Sequence, residues 1–318
     1  MDLLLPTVNQ MIFLFLFILL GFVLTKTGYL PKTASTILSK LENMLFLPAL
    51  VLGTFIKNFT VEKVSSYWKI LLFSTILELV LVPVCILICK LCAKDRYTQK
   101  IYTYGLCFSN FGFMGNAVVA AIFPEYFTEY IIFTLPLWSL IYIWGVPTLL
   151  IGNDEKKHTI GDRLKPFINP MFICMLIGMV IGITGVGSYI PDSILSVVEV
   201  SGDCMSPIAM LLTGITLAAS DLKQVLRRGS IYTVSALRLL VFPLIAIGLF
   251  ALLPVSVSDV LVICTVCSLA MPLGLNTIVV PSAYGKDAST AAGMALVSHL
   301  ASILTIPVIF ILLRMILA

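Results

Sequence analysis

Two stretches of this sequence combine asparagine, glycine, serine and proline where the flanking residues are largely apolar. Residues 105–118 read Gly-Leu-Cys-Phe-Ser-Asn-Phe-Gly-Phe-Met-Gly-Asn-Ala-Val, and residues 267–278 read Cys-Ser-Leu-Ala-Met-Pro-Leu-Gly-Leu-Asn-Thr-Ile. Pro272 lacks a backbone donor and strains the turn before it. Gly112, Gly115 and Gly274 permit non-helical dihedrals, and the amides of Asn110, Asn116 and Asn276 can satisfy main-chain groups that a break releases. Both stretches are therefore expected to be broken helices. A half-helix that restarts in apolar surroundings presents unpaired N–H groups and positive partial charge, which is chemistry for holding an anion. One such stretch alone reads as close helix packing. Two at matching positions point to a substrate site.

Ionisable residues inside apolar stretches are few, and their cost makes each a functional candidate. Glu78 and Arg238 each stand five residues before a proline, Pro83 and Pro243. Opposite charges so placed could pair, as a structural tie or as part of ion coupling, and a paired Arg238 is no free carboxylate clamp. His299 has the ring chemistry for proton coupling, against the plainer role of a hydrogen-bonded side chain in a bundle. Asp203, with Glu199 one turn earlier, is a group facing the breaks or a polar contact between helices. Glu42 and Asn43 hold the corresponding place in the second span, nearer its cytoplasmic end. Pro48 and Pro207 are expected kinks. Trp68, Trp138 and Trp144 read as interface anchors or packing residues. The eight cysteines include two pairs at CxxC spacing, Cys89/Cys92 and Cys264/Cys267, but lie mostly inside apolar stretches and read as small packing residues, with no metal site or cofactor expected. No His-Glu-x-x-His and no serine with a convincing base suggest an enzyme.

The elements that must position these residues are membrane spans. With 59% apolar and 11% charged residues and a mean hydropathy of +1.08, the chain is excluded as a soluble globular domain. About twenty apolar residues cross the hydrocarbon core. Ten candidate spans follow, near 8–25, 35–56, 66–92, 99–123, 127–151, 167–187, 191–219, 230–253, 258–283 and 288–316. The first is read as a span and not a secretory signal, because Asp2 replaces the basic n-region and no cleavage site follows. The net charge of +4 implies no nucleic-acid partner.

The sequence also echoes itself at an offset of 160. Pro6, Pro31, Pro83, Pro147, Cys107 and Asn116 recur as Pro166, Pro191, Pro243, Pro307, Cys267 and Asn276, while Pro48 meets Pro207 one position early. Internal duplication is the economical explanation. Five spans per copy carry the chain to the opposite face before the second copy begins, so the repeats are inverted. The expected organisation is a first five-helix repeat over 1–151, a cytoplasmic linker over 152–165 and a second five-helix repeat over 166–318. With both termini external, fourteen Lys and Arg fall on the cytoplasmic side and four outside, which fixes the orientation.

Read together, these residues resemble the auxin efflux carrier family, whose members include plant auxin exporters and bacterial malate or malonate permeases. The resemblance rests on Leu47-Pro48-Ala49-Leu50, Asn110-Phe111-Gly112-Phe113-Met114-Gly115, Pro207-Ile208-Ala209, Pro272-Leu273-Gly274-Leu275-Asn276, Ala283-Tyr284-Gly285 and Ile306-Pro307. It implies a fold like that of bile-acid symporters and sodium/proton antiporters, with a scaffold of spans 1, 2, 6 and 7 and a mobile core of spans 3–5 and 8–10. It further implies that the fourth and ninth spans cross at the substrate site, with Asn110, Pro272, Gly274 and Asn276 as crossover residues. Two positions depart from the family: Asn116-Ala117 replaces a proline after Gly115, and His299 stands where Ser or Thr is usual.

The expected protein is an all-α, multi-pass transporter of the plasma membrane that moves a small organic anion, such as malate, malonate or an indole acid, by alternating access. Its expected partners are that anion, the bilayer, a coupling proton or sodium ion, and a second copy bound through the scaffold. A cation or proton antiporter using Glu78, Asp203 and His299, and a non-transporting sensor, stay open as alternatives.

Overall fold

The computed structural model describes residues 4–31, 33–152, 169–252 and 259–317, and among these it forms helices and no strand. Besides the short helices Val61–Ser66 and Leu222–Leu226, the helices are α1 (Leu4–Lys26), α2 (Ala34–Asn58), α3 (Trp68–Cys92), α4 (Arg96–Cys107), α5 (Asn116–Ile122), α6 (Pro124–Ile151), α7 (Pro170–Thr184), α8 (Asp192–Ala219), α9 (Gly229–Leu252), α10 (Asp259–Ala270), α11 (Asn276–Ala283) and α12 (Ser289–Leu317). Six of them, α2, α3, α6, α8, α9 and α12, are long and apolar enough to cross a membrane, and α1, α7 and α10 hold shorter apolar runs. Their polarity is inverted relative to a soluble bundle. α3 exposes Leu72, Ile76, Leu79, Leu87 and Leu91 and buries Ser74 and Glu78, as a helix solvated by lipid does.

Proline sets the irregularities. It has no N–H to offer the preceding turn, and the turn widens to π geometry at Glu42–Phe46 before Pro48, at Leu237–Val241 before Pro243 and across Ile141–Ile151, which contains Pro147. In α8 the helix is interrupted at Cys204, three residues before Pro207. The expected kinks at Pro48 and Pro207 are thus a widened turn and a break.

Packing divides the helices into sets. α1 lies along the second half of α8, and α2 lies against α7 and the first half of α8. α3, α4 and α6 pack on one another, and α9, α10 and α12 do the same. Ser74 Oγ ties α3 to α6 by donating to the Phe133 carbonyl at 2.7 Å. α11 rests on α2, α6 and α12. Lys286, just beyond it, donates to the carbonyls of Leu150 and Ile151 at 2.9 and 2.8 Å, a cation at the negative end of α6. The expected linker over 152–165 lies, except for Gly152, outside the described residues.

Candidate functional site

Two interruptions of the helices meet inside the bundle. α4 ends at Cys107, and Phe108 is extended, with φ −113° and ψ 105°. On the other side, α10 ends at Ala270, because Pro272 cannot supply the next helical donor and disfavours helical dihedrals at Met271. The two extended pieces lie antiparallel and share a bridge between Ser109 and Leu273. Asn110 N–H donates to the Pro272 carbonyl at 2.7 Å, and Gly274 N–H donates to the Phe108 carbonyl at 3.2 Å. Gly274 is required by this approach: a Cβ there would sit 2.7 Å from the Phe108 carbonyl oxygen. Both chains then return to helix. The first does so through a π-turn, Phe111–Gly115, followed by α5 beginning at Asn116, and the second through α11 beginning at Asn276.

Gly112 and Gly115 serve the first return by letting aromatic rings close on it. A Cβ at Gly112 would collide with the Trp138 ring, and one at Gly115 with the Tyr130 hydroxyl. Tyr130 Oη donates to the Phe111 carbonyl at 3.3 Å. Trp138 is buried, packs edge-on against Phe111 and stacks on Tyr142. Its role is packing beneath the break and not anchoring at a membrane interface.

Arg238 holds both breaks from one side. Its guanidinium donates to the Leu106 carbonyl at 2.8 Å, the Ser268 carbonyl at 2.8 Å and the Met271 carbonyl at 3.4 Å. Ser109 Oγ adds a second donor to the Ser268 carbonyl at 2.8 Å. The carbonyl ends of α4 and α10 carry negative partial charge and have lost their helical donors, so a fixed cation satisfies both. The expected ion pair with Glu78 is not formed. Arg238 turns to the main chain, where three acceptors converge, and Glu78 Oε2 is buried without a hydrogen-bond partner. Glu78 instead lines a largely apolar cavity of about 440 Å³ between α3 and α6 with Leu71, Leu135 and Met179.

At the meeting point itself a cavity of about 10 Å³ is lined by Asn110, Gly112, Gly274 and Asn276, together with Tyr104, Phe108, Ser109 and Trp138. Gly115, Asn116 and Pro272 shape the breaks but do not line it. Asn276 Nδ2 donates to Tyr104 Oη at 3.0 Å. Asn110 Nδ2 lies 3.1 Å from His299 Nε2, and His299 Nδ1 lies 2.8 Å from the Ala295 carbonyl. A carbonyl only accepts, so Nδ1 carries the hydrogen and Nε2 of the neutral ring accepts from Asn110. Each amide therefore has one N–H committed, while Asn110 Oδ1 and Asn276 Oδ1 are buried and unpartnered. At the start of α11, Thr277 N–H and Ile278 N–H are already bonded to the Gly274 and Leu275 carbonyls at 3.3 and 2.8 Å, so the main-chain donors the site offers come chiefly from the first N–H groups of the π-turn, which have no carbonyl within their own helix. The site thus combines main-chain donors, suited to an anion, with two amide oxygens that accept from a donor group.

His299 and the two asparagines are brought together, whereas Asp203 is not. It is exposed at the end of the first half of α8, in a groove against α2 where Lys57 and Glu199 form an ion pair at 2.6 Å. It lines that groove, away from the two breaks. The residues not foreseen at the site are Tyr104, Ser109 and Trp138. Tyr104 and Ser109 fall within one turn of Gly105 and Asn110, which was the available signal.

A family model described as membrane transport protein matches the chain twice, over residues 6–163 and 157–310. No curated protein matches the chain significantly.

Proposed function

We propose, from the premise that this chain belongs to the auxin efflux carrier family of membrane transport proteins, that it carries a small organic anion by alternating access at the meeting point of its two breaks. Family membership and the apolar helices make it an integral, multi-pass membrane transporter. The finer reading is ten spans in two inverted five-helix repeats, 1–151 and 166–318, in the plasma membrane with both termini external and a homodimer through the scaffold. α1, α2, α7 and α8 act as scaffold; α3–α6 and α9–α12 act as the moving core.

The observation that carries this reading is the reciprocal main-chain pairing of the breaks, Asn110 N–H to Pro272 O and Gly274 N–H to Phe108 O. It sets two helix N-termini beside one another without a free cation, an arrangement that receives a carboxylate through N–H groups. The unpartnered oxygens of Asn110 and Asn276 favour a substrate that also bears a donor, as the hydroxyl of malate or the N–H of an indole acid would supply. A cavity of about 10 Å³ holds neither molecule, so loading requires the core to shift and open the site.

Thermal melting of the purified protein against a panel of organic acids tests the reading, since a ligand of the folded state raises the melting temperature by mass action. The expected hits are carboxylates bearing a donor group, and reconstituted vesicles should accumulate them. A panel without any shift, together with vesicles inert to every acid in it, defeats the proposal.

A further inference from the structure

Glu42 is fully buried in a helix long and apolar enough to cross a membrane, and neither of its carboxyl oxygens has a hydrogen-bond partner. The adjacent Asn43 is buried with its Oδ1 also unpartnered. Their position follows from Pro48: the π-turn Glu42–Phe46, closed by Leu47 N–H to the Glu42 carbonyl, widens the helix and keeps both consecutive polar side chains inside. This turn packs against α7, both halves of α8, and α11. α11 is the half-helix that leaves the second break, so Glu42 lies where scaffold and core are in contact.

The charged groups of those elements do not answer it. α11 carries no ionisable residue. In α8, Asp192 and Asp203 are exposed and Glu199 is engaged by Lys57. Cys204, between the halves of α8, and Cys174, in α7, are half-buried thiols. On α2 itself, Lys40 is exposed and Lys57 is held by Glu199. An ionised carboxylate buried without partner or counter-charge is strongly disfavoured, and the group takes up a proton instead.

We infer that Glu42 is a proton-binding site of this carrier, loaded while α2 and α11 are in contact and emptied when the core moves away and admits water. The neutral carboxylic acid suits the closed contact, and the carboxylate suits the opened one. Each passage from closed to open thus releases one proton from the scaffold. The inference rests on the carrier reading for its role, but the site is measurable without any substrate.

The test is hydrogen–deuterium exchange of the α11 amides in the purified full-length protein, between pH 6 and pH 9, corrected for the intrinsic base catalysis of exchange. One proton lost on opening makes the opening equilibrium rise by up to about tenfold per pH unit. Wild type should show such a slope, Glu42→Asp should keep it, and Glu42→Gln should be flat, while Glu78→Gln should retain the wild-type slope. The slope should persist when choline replaces sodium. A flat wild type overturns the inference, even if Glu42→Gln fails to fold. So does a slope that survives Glu42→Gln or appears only with sodium. A slope present in a protein that moves no organic acid defeats the transport reading alone, and uptake without a slope defeats this one alone.

Discussion

The first break, Phe108–Gly115, and the second, Met271–Leu275, occupy matching places in the sequence and are made by different means. The second is a main-chain device: Pro272 withholds a donor, and Gly274 lets the Phe108 carbonyl approach. The first contains no proline and, besides its main-chain pairing with the second, is held by side chains, with Trp138 and Tyr130 closing on Gly112 and Gly115, and His299 holding Asn110. Asn116 and Asn276 nevertheless open the helices that follow in both cases. What is common is the place where the helix restarts. What differs is stiffness, since a backbone contact cannot yield as a ring can. The second break is expected to be the fixed partner and the first the adjustable one.

Arg238 is shared by both, and its removal should have the largest effect. Arg238→Met leaves the carbonyls of Leu106 and Met271 without their buried donor and that of Ser268 with Ser109 Oγ alone, and we expect a loss of about 3–5 kcal/mol, read as a large fall in melting temperature with uptake abolished. Arg238→Lys should recover only part, because one ammonium cannot span three acceptors arranged for a guanidinium. If Arg238→Met melts like wild type, the breaks are not tied together through this residue.

The contrast in stiffness is sharpened by two alanines. Gly274→Ala drives a Cβ into a main-chain oxygen and should cost about 1–3 kcal/mol, with uptake lost because the two breaks can no longer pair. Gly112→Ala meets the Trp138 ring, which can shift; it should cost less and leave measurable uptake. Melting curves and vesicle uptake of both variants check the order. Equal effects would mean that the first break is as rigid as the second.

Pro272→Ala is milder still. It restores an N–H at the second break without adding bulk, and the expected change is about 1 kcal/mol. Uptake should persist at a reduced rate if Gly274 and the pairing of Asn110 with residue 272 are what keep the helix open. Faster exchange of the residue 271–275 amides would accompany it.

The location of the breaks was legible in the sequence because proline, glycine and asparagine are the residue types that interrupt a helix in lipid and satisfy what is released. The apolar, helical character was legible from hydropathy alone. The partner of Arg238 was not, since matching charges finds Glu78, whereas three main-chain carbonyls carry no signature in residue types. Tyr104 and Trp138 were hidden for another reason: an aromatic residue in an apolar helix reads alike whether it faces lipid or a site. Asp203 left two readings open in the sequence, because residue type alone does not tell which side of α8 it occupies; it lies in the groove between α2 and the first half of α8.

The smallest effect is expected at His299, and it separates two roles for that ring. Removing an acceptor from one neutral hydrogen bond costs about 1 kcal/mol, so His299→Ala should lower uptake only several-fold by freeing the Asn110 amide to turn. His299→Gln, which retains an acceptor, should recover part of the loss. The dependence on pH carries the decision. With Nδ1–H held by the Ala295 carbonyl, a second proton on Nε2 would face the Asn110 N–H donor to donor and force the amide over. If the ring only positions Asn110, uptake by His299→Ala falls by the same factor at every pH and the profile keeps its shape. A changed profile would move the coupling proton from Glu42 in the scaffold to His299 in the core, and the first break would then be the switched element as well as the adjustable one.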